Sequence, residues 1–318
     1  MAIAQVHSGY AVTLGLASPI ALGGIQSAAV ASNSETRGEI TDGGVYPVFQ
    51  SLVSQAPVAS FSTMAIKAAL DAFGLGGFNL NISDVPDGLD IFARQQKVGA
   101  TRFSTSVHRR YRMYHGVIVP RTLSVDQGGD ASLPFDCVVY YDGTNNPVIV
   151  TDDIAIPATA LMGDKERYGI GKINIGGTEI VGVRSVQIDF GLNAVAESAD
   201  GEVWPTFAHV QTQSPSVVMT GIDVDWLRDN AGAGGAVDEL GELLLHSNTD
   251  IWLRKRIDAS TYELDATTVH PHFTISGMAV VGPYFSNAGP DPAEVTLTLP
   301  LRTEGVNAPI SYVVDAIV

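Results

Sequence analysis

Cysteine is nearly absent from this 318-residue chain: Cys137 stands alone, which excludes an intrachain disulfide framework and a cysteine-built zinc site. Positive charge is also scarce. Eighteen Lys and Arg face 34 Asp and Glu, a formal charge of −16 at pH 7. So acidic a chain has little with which to neutralise phosphates, so gripping nucleic acid is not its expected task. Charged residues of both signs make up 16 % of the chain, against a usual share of about 25 %. Apolar residues make up 45 %, too many for a disordered chain. Yet no run of 18 apolar residues occurs, and the first basic residue is Arg37, so the apolar N-terminal stretch has no positive n-region. The expectation is a chain that neither spans a membrane nor is secreted by that route, made and assembled in a cytoplasm.

What the sequence does contain is a repeat. Residues 39–77 and 197–235 align without a gap at an offset of 158 and match at twelve of 39 positions. About two or three identities would be expected by chance for ordinary composition. The hallmarks are Asp42, Gly43, Tyr46, Pro47, Phe49, Pro57 and Gly74 in the first copy. Asp200, Gly201, Trp204, Pro205, Phe207, Pro215 and Gly232 answer them in the second. Gly143-Thr-Asn-Asn-Pro147 and Gly305-Val-Asn-Ala-Pro309 extend the echo at an offset of 162. The chain reads as a tandem duplication of residues 1–156 and 157–318, with a seam near Ile156-Pro157.

Each copy carries the same order of signals. A strand of period two, clearest over Thr178–Asp189, leads to an Asp-Gly turn and an extended aromatic-Pro-x-Phe segment. A β-like run after Pro57 or Pro215 then enters a helix. In copy one, Ser62 or Thr63 can cap the helix over Met64–Phe73, which Gly74 ends; in copy two the helix starts near Asp223. A further helix is expected over Val237–His246, with Val237, Leu240 and Leu244 on one stripe. Strands are expected at 117–119, 137–141, 148–150, 251–257, 273–281, 295–299 and 310–314. The fold class is mainly β: two tandem β-sandwich or barrel domains, each with a flanking α-helix.

Catalytic chemistry is weakly signalled. His270 and His272 share one face of a strand, a spacing a metal can use, but no third ligand is evident and a solvated strand end explains them. The acidic pairs Asp223/Asp225 and Asp152/Asp153 lack the spacing of a calcium loop, and no glycine-rich stretch has P-loop spacing. Cys137 lies in an expected strand and reads as inert core. A metal-dependent hydrolase using His270 and His272 is the minor alternative; no enzyme activity and no cofactor are expected. Basic residues instead cluster at Arg94, Lys97, Arg102, Arg109, Arg110, Arg112 and Arg121, seven of the 18. Contact with a neighbouring subunit, a solvated face and contact with DNA are the three readings, the first fitting the net charge best.

The pattern DG-x-V-[YW]-P-x-F, then Q-x-P, a β run, a helix and GG resembles the major tail tube proteins of long-tailed (siphovirus-like) bacteriophages. The likeness is to those whose subunit carries two fused tube domains. The resemblance implies a helix-flanked β-sandwich whose sheets join those of neighbours around a central channel. It implies trimeric, pseudo-hexameric rings that stack into a tube in the virion tail, a conduit for DNA ejection. Partners would be other copies of the chain, tail tip and terminator proteins and a tape-measure protein, with DNA passing unbound and no membrane. The acidic excess suits a channel wall that repels phosphate, with Asp or Glu in strands after the helices as candidates. The N-terminal 30 residues and the loops around 94–134 are candidates for ring-to-ring contacts. Another virion or injection-machine component, such as a decoration or sheath-like protein, is the alternative within the same class.

Overall fold

A computed structural model describes residues 6–15, 19–40, 42–80, 88–96, 108–157, 166–175, 177–199, 201–221, 244–258, 260–280, 295–300 and 310–318. The protein is mainly β, built from several antiparallel sheets. The first half runs β1 (Val6–Leu14), β2 (Ile20–Leu22), β3 (Ile25–Ala31), β4 (Ser34–Glu39), β5 (Phe49–Gln55) and β6 (Val58–Thr63). Then come α1 (Ile66–Phe73), β7 (Phe78–Asn79), β8 (Leu89–Gln96), β9 (His108–Met113), β10 (Gly116–Pro120), β11 (Thr122–Asp126), β12 (Leu133–Val139) and β13 (Val148–Ile154). The second half runs β14 (Tyr168–Ile175), β15 (Thr178–Glu179), β16 (Val183–Asp189), β17 (Leu192–Glu197), β18 (Phe207–Gln213) and β19 (Ser216–Gly221). It ends with β20 (Leu244–Lys255), β21 (His270–Val280), β22 (Val295–Pro300) and β23 (Ile310–Asp315).

The sequence offset reappears as strand register. The pair β3–β6 joins Ile25 to Thr63 and Ser27 to Ser62, with a bulge between Ile25 and Ser27. The pair β16–β19 joins Val183 to Gly221 and Ser185 to Thr220, with its bulge 158 residues on, between Val183 and Ser185. The hairpins β4–β5 and β17–β18 likewise share register and bulge, Ser34 to Gln55 answering Leu192 to Gln213. Because one extra residue would turn every side chain to the opposite face, matching bulges mean matching faces. The five-stranded orders β13-β9-β8-β1-β2 and β23-β21-β20-β14-β15 also correspond. The far ends keep the offset of 162: Val148 pairs with Met113, and Ile310 with Ile275.

Alternation drives this packing. β6 and β19 bury every second residue: Ala59, Phe61 and Thr63 in the first, Val217, Met219 and Gly221 in the second. Below β6, Phe61 stacks on Phe135 at 5.3 Å between ring centres, and Phe73 of α1 meets Phe135 at 5.2 Å. α1 lays Ile66, Ala69, Leu70 and Phe73 inward, the spacing of one helical face. Gly74 ends it as expected, in a left-handed conformation (φ 68°), its N–H donating to the Leu70 carbonyl at 2.8 Å. The expected Ser62 or Thr63 cap is not formed. Ala65 holds the cap position without a side-chain bond, while the Thr63 hydroxyl accepts from the Ala65 N–H and donates to the Gly23 carbonyl.

Two more expectations are corrected or moved. Leu244–His246, assigned above to a helix, open the strand β20 and pair with Met278–Val280 of β21. The remainder of that helix, the helix near Asp223, Gly232 and Asp200 lie outside the described residues. Most of 108–134, expected as loops, is strand β9 to β12.

Candidate assembly interface

Among the described residues the two halves meet through three contacts, each with one member in either half. The first is a strand. β11 follows β10 of the first half yet pairs along its length with β16, Thr122 to Asp189 through Asp126 to Ser185. Leu123 and Val125 alternate inward and are fully buried beside Val186 and Ile188. β11 therefore completes the sheet β11-β16-β19-β22 of the second half.

The second contact is the hairpin β17–β18, which lies over β10 and β12. All five residues of β10 are buried, as expected of a strand covered on both faces. Gln55 donates its N–H to the Val203 carbonyl at 2.8 Å, and its side-chain oxygen accepts from Trp204 Nε1 at 3.1 Å. Trp204 packs on Tyr141 at 5.1 Å, and the Tyr141 N–H donates to the Pro205 carbonyl at 2.7 Å. Gly77 has φ +94°, and a Cβ there would lie 3.0 Å from Val210 Cγ2. Glycine at 77 thus suits both the turn and the close approach of the hairpin. Arg121 ties the base: it pairs with Asp136 at 2.6 Å and donates to the Leu192 carbonyl at 2.9 Å.

The third contact is ionic. Asp130, in the turn between β11 and β12, faces Arg256 at 3.0 Å and Arg167 at 3.3 Å. Arg256 also donates to the Gly128 and Gly129 carbonyls at 2.9 Å and lies over the Tyr262 ring at 4.9 Å. A guanidinium is well suited to such a site, since its planar fork bonds several acceptors and still stacks on a ring.

The first two contacts have counterparts without a partner among the described residues. β3, which occupies the place of β16, is an edge strand. The hairpin β4–β5 repeats β17–β18 but is exposed along nearly its whole length. The repeat hallmarks sort accordingly. Pro205 is buried and Trp204 half-buried, whereas Pro47 is exposed and Tyr46 is 81 % exposed. Asp42 and Gly43 form the expected turn with φ of 54° and 72°, matched by Gly201 at 77°. Phe49 and Phe207 are both exposed, while Pro57 and Pro215 are both buried ahead of β6 and β19.

The basic cluster divides. Lys97 and Arg102 lie outside the described residues, and Arg94 is placed on β8 opposite His108. Arg109 pairs with Asp152 at 2.6 Å on a partly exposed face. Arg110 donates to the Thr151 hydroxyl. Arg112 is turned inward onto Asp90 with two bonds of 2.6 and 2.7 Å, and is not an open contact surface. Those hydrogen bonds raise its already high pKa, securing the charge inside the sheet.

The two histidines are not a solvated strand end. His270 is fully buried; its Nδ1 accepts from the Lys255 N–H at 3.1 Å and its Nε2 bonds the Leu264 carbonyl at 3.0 Å. His272 stacks on Trp252 at 4.0 Å and bonds Asp250, which also accepts from the Thr274 hydroxyl. Their nitrogens serve the sheet, and among the described residues no group of three His, Cys, Asp or Glu could hold a metal ion. Cys137 is fully buried, and burial pushes its thiol well above the usual range. No family model matches this chain, and no curated protein matches it either.

Sequence reasoning found the hairpin hallmarks but not the donated strand. Thr-Leu-Ser-Val-Asp alternates visibly over 122–126, yet nothing local says which sheet it joins. Asp130 and Arg256 were equally silent, being 126 residues apart.

Proposed function

We propose that this chain is a self-assembling structural subunit that builds rings, and that the rings stack as the tube of a phage-type tail. The observation that carries the reading is that the outer edge of β3 has no partner among the described residues, whereas the corresponding edge of β16 is closed by β11. Halves joined head to tail in this way leave the acceptor edge at β3 unused among the described residues. Such a heterologous contact, repeated between chains, closes into a ring or runs on as a filament. Closure also removes the exposed strand edge, which otherwise invites uncontrolled pairing.

The tube reading adds the resemblance of the repeat hallmarks and the charge. With duplicated halves, three chains present six similar units around a channel. Their combined charge of three times −16, or −48, suits a wall along which DNA slides without sticking. In this reading the protein works in the virion tail, between tail tip and terminator proteins and around a tape-measure protein. It carries out no catalysis and needs no cofactor. Negative-stain electron microscopy across a concentration series tests the proposal. Rings or stacked tubes with an open centre are expected, and isolated compact particles at every concentration, with or without a tail-tip seed, would overturn it.

A further inference from the structure

We propose that the exposed β4–β5 hairpin is the docking element for a second copy of this chain. It seats on that copy's second half as β17–β18 seats on the first half of its own chain. The inference rests on the ring reading and adds to it a second, residue-level contact beside the β3 edge.

The argument starts from congruence. The two hairpins share register, bulge and even the closing bond: Val48 N–H to Glu39 carbonyl at 2.9 Å, Thr206 N–H to Glu197 carbonyl at 2.8 Å. They differ in what covers them. Val45 and Tyr46 are 83 % and 81 % exposed, and Val48, Phe49, Leu52 and Val53 are exposed as well. Val203, Trp204 and Val210, the repeats of Val45, Tyr46 and Leu52, are half-buried, and Pro205 is buried, whereas Phe207, the repeat of Phe49, stays exposed. So many exposed apolar side chains on one hairpin mark an interaction surface.

The chain itself identifies the occupant. The seat for Val203 and Trp204 is Gln55, and its repeat is Gln213, half-buried at the end of β18. The seat for Val210 is Gly77, and the repeat of Val210 in the exposed hairpin is Leu52. Trp204 becomes Tyr46, another flat aromatic ring carrying a hydrogen-bond donor. A projecting hairpin that recurs, with a seat glutamine that recurs, one pair used within the chain and one without a partner among the described residues, is complementary to itself head to tail. A two-fold dimer would instead place like against like.

The test is a cysteine pair in the full chain, V45C with Q213C. The backbone bond between Gln55 and Val203 brings those two residues within the Cα separation of about 4.4–6.8 Å that a disulfide spans. Its repeat between copies does the same for 213 and 45. Mild oxidation should link the double variant into covalent dimers and trimers, while each single variant runs as monomer. The internal pair Q55C with V203C should close within one chain, shifting mobility without multimers. If the internal pair closes and rings form, yet V45C with Q213C does not cross-link, the hairpin proposal fails and the ring reading stands. If V45C alone self-links, the association is two-fold and the proposal fails. If wild-type chains never associate, both fall.

Discussion

Leu123 offers a direct way to ask which half β11 belongs to. Its side chain is fully buried opposite Ile188, in the sheet of the second half, although its sequence position is in the first. Leu123→Ala removes three carbons, about 2.4 kcal/mol at ~0.8 kcal/mol per buried methylene. The cavity left behind brings the expected loss to about 3 kcal/mol, inside the range for buried Leu→Ala changes. The chain provides its own reporter, because Trp204, Trp226 and Trp252 all lie in the second half. Urea unfolding followed by tryptophan fluorescence should therefore shift to lower denaturant. With a slope of about 2 kcal/mol per molar, the midpoint should fall by about 1.5 M. Leu70→Ala, in α1 against the first-half core, is the comparison. An unmoved tryptophan transition in Leu123→Ala would refute the assignment of β11 to the second sheet.

Four further outcomes are expected. Arg112→Ala strands the Asp90 carboxylate, whose side chain is 5 % exposed, and should cost about 3–5 kcal/mol in urea unfolding. Lys67→Ala breaks the exposed i,i+4 pair with Asp71, and loss of that pair should cost about 0.5 kcal/mol or less. Burial pushes the Asp142 carboxyl up, but hydrogen bonds from Asn145 and Thr144, with His115 nearby, outweigh it and hold the pKa down to about 2. A depressed carboxyl stabilises the fold above its unfolded value of 3.8 and loses that contribution as pH falls toward 2. The stability gap between wild type and Asp142→Asn should thus shrink over that window, and a constant gap would contradict the assignment. Cys137 should resist a thiol reagent such as DTNB in the folded chain and react fully in denaturant; rapid labelling of folded protein would show the β12 core to be open.

The sequence showed the repeat because its punctuation is local. Asp42-Gly43 needs left-handed backbone, Pro57 precedes a strand and Gly74 ends a helix, so each residue type was dictated by its own conformation. The mainly β class followed from alternation such as that over Thr178–Asp189, which holds β15 and β16. What sequence could not show was pairing at a distance. Leu240 and Leu244 share a helical stripe, yet Leu244 is held opposite Val280, where sheet pairing outweighs local periodicity. His270 looked solvated because its partners, Lys255 and Leu264, come to it through the fold. The basic cluster looked like one surface, but Asp90 and Asp152 draw Arg112 and Arg109 onto different faces. The candidate interface was half legible: its hairpin was marked by Tyr46 and Trp204, while its strand, β11, became evident only beside β16.

Native mass spectrometry of the first species to form as concentration rises tests the central claim most directly. Head-to-tail closure of duplicated halves into a pseudo-six-fold ring predicts a discrete complex of three chains, three times 33.5 kDa or about 100 kDa, followed by its multiples as rings stack. A stable two-chain complex that grows no further would contradict it, because a two-fold pair leaves no open donor or acceptor side from which a tube could be built.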